Sequence, residues 1–308
     1  DPCTEKDNCQ SNKCVAGVQK DCTANLLPCR VAACDSKTGK CLSNVAPNGA
    51  GCANGKGSCE NGACVQVAGQ GRKMVHVPEG AFWMGCNGSA SGVCQQHEVV
   101  LSPYWIDMFE VTVADYAKCY SAGQCSKPPA GKGNNWGISG REQHPINAVN
   151  RNSSQAYCQW FGGDLPTEAQ WEKAARGGCE HNGGYEYCKA IMRSYPWGNA
   201  PGPGCDYAIV SGCGGMTQPV GSKLYGVRQK AAYDMLGNVG EWVRDKFSMT
   251  YYGISPKKDP FNNVGNTDYR ISRGGGWGTA PGQTSAVHRQ SEMYNVSDFN
   301  LGFRCVKY

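Results

Sequence analysis

The sequence has little histidine, little charge and no long apolar stretch. Five histidines occur among 308 residues, and charged residues account for 18% of the chain. No run of about 18 apolar residues is present, so the sequence predicts no membrane span. The net charge of +5 is small and scattered, which predicts neither a nucleic-acid partner nor a patch for anionic membranes.

Several catalytic sequence patterns are also missing. No Gly-x-Ser-x-Gly elbow occurs, which argues against a Ser-His-Asp hydrolase. Neither a Walker loop nor a dinucleotide-type glycine fingerprint occurs, which argues against nucleotide chemistry. The histidines form no His-x3-His or similar pair on one helix face. They are His76, His97, His144, His181 and His288.

Cysteine and glycine are abundant, with 20 and 42 residues respectively. So many cysteines do not suit a reduced cytosol, and they predict export, a disulfide framework and a secreted or extracellular surface location. The glycine content and the low charge predict a loop-rich protein. The chain begins at Asp1-Pro2-Cys3, which we interpret as a mature, processed form.

Residues 1–66 form a first region with ten cysteines and almost no large apolar residues. Such a segment needs crosslinks to offset its chain entropy, so we expect a small disulfide-stapled module. A recurring Cys-x4-Cys spacing indicates two or three degenerate cysteine-rich repeats. The spacing occurs at Cys9/Cys14, Cys29/Cys34 and Cys59/Cys64. Zinc is the less favoured interpretation because no Cys-x2-Cys pair occurs, and the spacing leaves the disulfide pairing open.

A short polar linker at residues 67–73 precedes a second region, residues 74–308. Helices are predicted to begin at Thr112 and to cover Ser153–Phe161 and Glu168–Arg176, the last with a capping box at its start. Beyond them, turns and glycines predict small strands and long loops. The second region is therefore expected to be α+β and loop-rich.

Six short motifs occur in this second region in a specific order. They are Asp107-Met-Phe-Glu-Val-Thr112, His144-Pro-Ile-Asn147, Leu165-Pro-Thr-Glu-Ala-Gln-Trp171, Asp234-Met-Leu-Gly-Asn-Val-Gly-Glu-Trp242, Arg273-Gly-Gly-Gly-Trp277 and Asn300-Leu-Gly-Phe-Arg-Cys305. Together they resemble the formylglycine-generating enzyme (sulfatase-modifying factor) family over about residues 74–308. The resemblance implies a C-type-lectin-like variant fold and a disulfide between Cys158 and Cys305.

The three positions that carry the chemistry of that family are changed. Its enzymes have a serine and two copper-binding cysteines just after the Arg-Gly-Gly motif. Here Gly276 occupies the serine position, the first cysteine position falls at or near Thr279, and no cysteine follows before His288. Copper is therefore not expected, since no thiolate pair can hold it. Another branch of the fold binds ferrous iron through a histidine triad, which this chain does not provide.

The resemblance also implies calcium at the turn Asn238-Val239-Gly240-Glu241. Asn238 and Glu241 would supply side-chain oxygens and the two residues between them carbonyl oxygens, which are the donors that calcium prefers. The alternative is a plain turn in which Glu241 accepts backbone N–H groups. Asp206 is a candidate for a second calcium site.

The remaining cysteines of the second region can pair locally and leave no spare thiol. The expected pairs are Cys86/Cys94, Cys119/Cys125, Cys179/Cys188 and Cys205/Cys213.

Asn-x-Ser sequons stand at Asn87, Asn152 and Asn295, and they would carry glycans only in a host with that machinery.

Aromatic residues in the less family-like loops are candidates for a ligand surface, because such side chains often anchor contacts. They are Trp136, Tyr251, Tyr252 and Tyr294. The stretch from Gly278 to Phe299 would form part of the face that is an active-site rim in enzymes.

The sequence thus favours a non-catalytic extracellular protein for binding a protein or glycan, for adhesion or for self-assembly. The alternative is a copper-dependent oxidase that makes formylglycine from a sulfatase cysteine.

Overall fold

A computed structural model gives the fold of most of the chain. It describes residues 4–5, 8–10, 13–15, 18–19, 29–34, 41–53, 55–67, 71–86, 93–179, 188–189, 192–227, 232–265 and 268–308. Two compact units divide between Gln66 and Val67. Part of the expected linker, the sequon at Asn87 and His181 lie outside the described residues.

Short antiparallel strands build the first unit. They are β1 (Thr4–Glu5), β2 (Asn8–Gln10), β3 (Lys13–Val15), β4 (Val18–Gln19), β5 (Arg30–Cys34), β6 (Cys41–Val45), β7 (Gly51–Cys52), β8 (Gly57–Glu60) and β9 (Ala63–Val67). The pairs β1–β4, β2–β3 and β5–β6 each form a two-stranded sheet, while β8 lies between β7 and β9.

Three hairpins of this unit have cysteines opposite each other. The register places Cys9 opposite Cys14, Cys34 opposite Cys41, and Cys59 opposite Cys64. The middle hairpin therefore has Cys34 opposite Cys41, so the Cys29/Cys34 spacing does not correspond to a facing pair of cysteines as the spacings at Cys9/Cys14 and Cys59/Cys64 do.

Disulfides supply much of the core in the described part of this unit. Cys29 pairs with Cys59, and Cys52 pairs with Cys64. Three of these sulfurs lie within 4.8 Å of one another. They are engaged in the two bridges and so are not zinc thiolates. The buried residues here are mainly these cysteines and small side chains such as Ala46 and Ala63.

Within its described residues, the second unit contains three α-helices and three small sheets. The helices are α1 (Val113–Ser121), α2 (Arg151–Trp160) and α3 (Glu168–Arg176). The strands are β10 (Lys73–Val77), β11 (Gly80–Met84), β12 (His97–Leu101), β13 (Tyr104–Asp107), β14 (Gly240–Lys246), β15 (Tyr269–Arg273), β16 (Arg289–Met293), β17 (Leu301–Gly302) and β18 (Val306–Lys307).

The strands pair mainly in antiparallel fashion. β13 lies between β10 and β18, and β11 pairs with β12. The third sheet has the order β16–β15–β14–β17, in which β17 runs parallel to β14. Long loops join these elements, and among the described residues no helix has the length and apolar character to cross a bilayer.

Polar side chains cap all three helices. Thr112, Asn150 and Thr167 each accept a hydrogen bond from the backbone three residues on. Gln170 completes the expected capping box of α3. The second helix begins two residues before the predicted start, because the Asn150 side chain accepts from the Ser153 N–H at 2.9 Å.

Five disulfides join residues of the second unit. They are Cys86–Cys94, Cys119–Cys125, Cys158–Cys305, Cys179–Cys188 and Cys205–Cys213, the five pairs expected from the sequence. The bridge from Cys158 to Cys305 spans 147 residues and joins α2 to the end of the chain. A crosslink over so long a loop restricts the unfolded chain strongly.

Charged side chains of α3 are buried and paired. Glu172 Oε1 accepts from Arg176 Nη1 at 2.7 Å, and Glu172 Oε2 accepts from Arg273 Nη2 at 2.5 Å. Arg273 also reaches Glu168, which in turn binds Arg289 Nε at 2.6 Å. Burial alone would raise the pKa of Glu172, but the two arginines outweigh it and the pKa is lowered. The helix is therefore held to β15 and β16 by fully desolvated ion pairs.

Removing one partner from this network should be costly. Arg273→Met leaves the buried carboxylates of Glu172 and Glu168 short of a cation, and we expect a loss of about 3–5 kcal/mol in the free energy of unfolding. The matched control is Lys257→Met, which removes the exposed pair with Glu98 and should cost at most about 1 kcal/mol. Chemical denaturation of both variants measures the difference, and equal losses would contradict this role for Arg273.

A buried acid next to the network should make stability depend on pH. Burial, and then repulsion by Glu168, raise the pKa of Asp245 to about 7, although backbone N–H groups of Asn262 and Glu168 oppose the rise. A raised acid pKa stabilises the fold below the ordinary value near 4, and this contribution is lost as pH rises through 7.

We expect Asp245→Asn to flatten the decline of the unfolding free energy between about pH 4 and 7, because the amide does not titrate. The exposed Asp259, changed to Asn, is the control and should keep the slope of the parent protein. Denaturation midpoints measured across this pH range test the prediction. An Asp245→Asn profile as steep as that of the parent would contradict it.

Candidate functional site

The segment after β15 leads to Trp277, which lines a surface groove. Gly274 and Gly275 have positive φ angles of 84° and 67°, which turn the chain sharply after Arg273. A Cβ at Gly274 would lie 2.8 Å from the Met235 carbonyl oxygen. Glycine is therefore required here, both for the backbone angle and for the close approach.

No side chain fits at Gly276 without movement of its neighbour. A Cβ there would lie 2.7 Å from both the backbone oxygen and Oδ1 of Asn300. The Asn300 side chain accepts from the Gly278 N–H at 2.9 Å, and the Asn300 backbone oxygen accepts from Gly240 at 2.6 Å. The position that the family resemblance assigns to the serine is thus closed over by a well-anchored asparagine.

The groove itself is open and has a volume of about 510 Å³. We call it the Trp277 groove and define it by Lys132, Ile138, Arg141, Met216, Trp277 and Phe299. The Trp277 and Phe299 rings lie 5.4 Å apart at an interplanar angle of 32°. Ile138, Met216 and Phe299 are 50%, 46% and 41% exposed, so the groove presents apolar side chains to solvent.

Buried amides hold the two sides of the groove together. Asn147 Nδ2 donates to the Gly133 oxygen at 2.9 Å and to the Phe299 oxygen at 2.7 Å. Asn147 Oδ1 accepts from the Asn135 N–H at 2.8 Å, and Asn135 Oδ1 accepts from Arg141 Nη1 at 2.7 Å. Arg141 at the rim of the groove is therefore fixed to the same hydrogen-bonded frame of Asn135 and Asn147 that holds the backbone of Phe299.

The donor set for copper is not present. Thr279 is buried, and its hydroxyl oxygen accepts from the Gly276 N–H at 2.9 Å. In the part of the chain that the structure describes, no cysteine is free. A hydroxyl and a glycine cannot replace two thiolates for Cu(I), so the residues do not fit copper.

The turn proposed for calcium is buried and already hydrogen-bonded. Both oxygens of Glu241 accept from Arg304 at 2.6–2.7 Å, and one also accepts from Trp171 Nε1 at 2.7 Å. Asn238 Oδ1 accepts from the Gln218 N–H at 3.0 Å. The side-chain oxygens would therefore have to rearrange before they could bind calcium. Gly240 lies in β14, and its N–H donates to Asn300.

Glu110 is a member of this site that sequence reasoning missed. Its carboxylate accepts from Asn238 Nδ2 at 2.6 Å and from the Val239 N–H at 3.1 Å. The position of Glu110 within the Asp107–Thr112 motif was a signal in the sequence that could have pointed to it. Its hydrogen-bond partners, however, are evident only from the fold. Burial, and then repulsion by Asp234 and Glu241, raise the pKa of Glu110 well above its usual value.

Negative charge exceeds positive charge among these buried groups. Glu110, Asp234 and Glu241 all interact with Arg304. Three carboxylates facing one guanidinium favour a further cation, or else protonation of an acid. Calcium at this turn stays a prediction. Asp206 is exposed in the loop that follows Cys205, so it does not belong to this buried group.

The aromatic candidates are all buried or half-buried. Tyr252 is only 3% exposed and packs under the Arg289 guanidinium, which lies 4.2 Å from its ring centre, so its prediction as a ligand anchor is wrong for this conformation. Trp136 is half-buried against Tyr116 and Tyr120. Tyr251 and Tyr294 are also half-buried and lie on different segments. The sequons at Asn152 and Asn295 are exposed.

Residues 62–308 match the family described as "Sulfatase-modifying factor enzyme 1-like domain", and the chain belongs to this family. It is 36% identical over 183 residues to the formylglycine-generating enzyme of Streptomyces coelicolor, a match that covers 54% of each protein. The chain thus spans about half the length of that relative.

Two mammalian relatives match over a longer stretch. The formylglycine-generating enzyme of Mus musculus is 26% identical, with 76% of this chain and 74% of the relative covered. A Bos taurus protein named "Inactive C-alpha-formylglycine-generating enzyme 2" is 28% identical, with coverage of 77% and 88%.

Solved structures share the fold at low sequence identity. PvdO from Pseudomonas aeruginosa has a TM-score of 0.61 at 23% identity, covering 79% of this chain and 97% of that chain. Treponema denticola variable protein 1 has a TM-score of 0.60 at 20% identity, covering 79% and 98%. These structural similarities establish the loop-rich α+β fold, but they do not identify a function.

Calcium binding can be tested separately from the ion pair. A ligand that binds only the native state adds about 2.7 kcal/mol at a hundredfold excess over its Kd. We expect a calcium chelator to lower the Tm of the parent protein, and to lower that of Glu241→Gln less, because the charged donor is lost.

The chelator-dependent shift, rather than the Tm itself, is the readout, since Glu241→Gln also weakens the pair with Arg304. The exposed Glu142, changed to Gln, is the control and should shift as the parent does. If the chelator left the Tm of both the parent and Glu241→Gln unchanged, or lowered both equally, the turn would be a plain structural turn that does not bind calcium.

Proposed function

We propose that this chain is a non-catalytic extracellular binding protein, and that its ligand site is the Trp277 groove. The observation that carries the proposal is the replacement of the oxidase serine and first cysteine by Gly276 and Thr279. The groove keeps an open, partly apolar surface beside them. A binding protein needs such a surface and does not need the thiolates.

Packing around Gly276 supports the absence of oxidase chemistry. The Asn300 side chain occupies the space into which a side chain at Gly276 would project. The described cysteines of this unit are joined in disulfides, so no thiolate is available to bind copper or to carry electrons.

The family supports the same interpretation without deciding it. Two similar mammalian proteins are named as an inactive formylglycine-generating enzyme, which supports the view that the fold occurs without the activity. The C-type-lectin-like character that the family resemblance implies suits a ligand-binding, adhesion or assembly role. The disulfide content favours a secreted or cell-surface location. A structural calcium ion at the turn from Asn238 to Glu241 is also part of the proposal, but ligand binding in the groove does not require it.

We expect the purified chain to leave a substrate cysteine unchanged. It should be incubated with copper, oxygen, a thiol reductant and a Cys-x-Pro-x-Arg peptide, and the peptide mass followed. The Streptomyces enzyme under the same conditions is the positive control. Loss of the thiol mass with formation of the aldehyde would overturn the proposal in favour of the alternative, a formylglycine-generating oxidase.

A further inference from the structure

We propose that the Trp277 groove binds an extended protein segment in which a large apolar side chain is flanked by carboxylates. This inference rests on the proposed function, because it names the class of ligand for the same groove. It depends on four features of the groove: its apolar wall, the sign of its charge, the fixed position of Arg141, and the space left by its glycines.

The wall of the groove suits an apolar side chain. Trp277 and Phe299 form one side as a tilted pair of rings, and the exposed Ile138 and Met216 also line the groove. Aromatic residues in a groove are common anchors of protein interfaces, and a methionine adapts its shape to a partner. An aliphatic chain and a thioether offer a sugar no hydrogen-bonding groups, so this surface favours a protein segment over a glycan.

The charges of the groove have one sign. Lys132 and Arg141 line it, and none of its described lining residues carries a carboxylate. The nearby acids are engaged with the backbone: Glu142 Oε1 accepts from Gly140 at 3.2 Å, and Asp298 Oδ1 accepts from Asn300 at 2.7 Å. Charge complementarity therefore selects a ligand with carboxylates on either side of its apolar anchor.

Arg141 is held in place before any ligand arrives. One of its nitrogens donates to Asn135 Oδ1 at 2.7 Å and another lies 3.5 Å from Met216 Sδ. Asn135 is itself buried and donates to Pro145 and Thr217. A guanidinium fixed in this way loses little freedom on binding and favours the planar geometry of a carboxylate.

Glycines leave room for the main chain of a ligand. Gly131, Gly133 and Gly215 line the groove. Nothing lies within 4 Å of a Cβ built at Gly131 or Gly215. An extended segment can therefore approach the backbone at these points, while its side chain enters between the rings and Met216.

Four labelled peptides of equal length test the inference. The first has a tryptophan flanked by aspartates, the second replaces the aspartates with asparagines, the third replaces the tryptophan with alanine, and the fourth replaces the aspartates with lysines. Fluorescence anisotropy with the full chain should show the first peptide binding at least about tenfold more tightly than each of the others. Its affinity should also fall as salt is raised.

Variants of the protein locate the binding. Arg141→Gln should weaken the first peptide by about fivefold and reduce its advantage over the asparagine peptide. Phe299→Ala should weaken it by about tenfold without changing the preference for aspartate. Lys258→Gln removes an exposed cation that does not line the groove and should bind as the parent does. Unchanged Tm values establish that each variant is folded.

Equal binding of the aspartate and asparagine peptides, or no binding of the first peptide, would overturn the inference. Polygalacturonate serves as an anionic glycan probe. The groove is a glycan site if polygalacturonate binds the parent protein, binds more weakly to Phe299→Ala, and the peptides do not bind. In that case the ligand class proposed here is wrong, while the proposed function stands. Aldehyde formation in the cysteine assay contradicts the proposed function itself, whatever the peptides do.

Discussion

The structure depends on a set of buried charges around helix α3. Glu172 binds Arg176 within the helix and Arg273 at the end of β15. Loss of either partner leaves a desolvated charge, so the helix and the strand are held in one arrangement. Arg273 is also the first residue of the Arg-Gly-Gly-Gly-Trp segment, so this network holds the start of the segment that carries Trp277.

The same helix also anchors the segment that carries Phe299, the second ring of the groove's aromatic side. Trp171 of α3 donates to Glu241, and Glu241 pairs with Arg304, which follows β17. Phe299 and Asn300 directly precede that strand. The two segments that supply Trp277 and Phe299 are thus fixed by interactions that do not involve the residues lining the groove. Positions between these anchors, such as Gly276 and Thr279, can differ between proteins of this fold while the frame stays intact, so the fold alone does not fix a function.

Local chemistry and ordered motifs made much of this architecture predictable. The capping box at Thr167 and Gln170 marked α3, and the changed residues after Arg273 marked the site. Sequence reasoning could not find the partners of buried polar groups, because they are distant in the chain. Arg304 at Glu241, Glu110 at Asn238, and the burial of Tyr252 under Arg289 are contacts across more than 35 residues. The cysteine spacing likewise could not show that Cys34 lies opposite Cys41.

Hydrogen exchange of the full chain tests the central claim, that the groove rather than another surface receives the ligand. Exchange is measured with and without a saturating concentration of the peptide that carries an aspartate-flanked tryptophan. The account predicts slower exchange of backbone amides at residues 131–141 and 276–279, with no change in β10. Slower exchange confined to other segments, or no change at saturation, would contradict it.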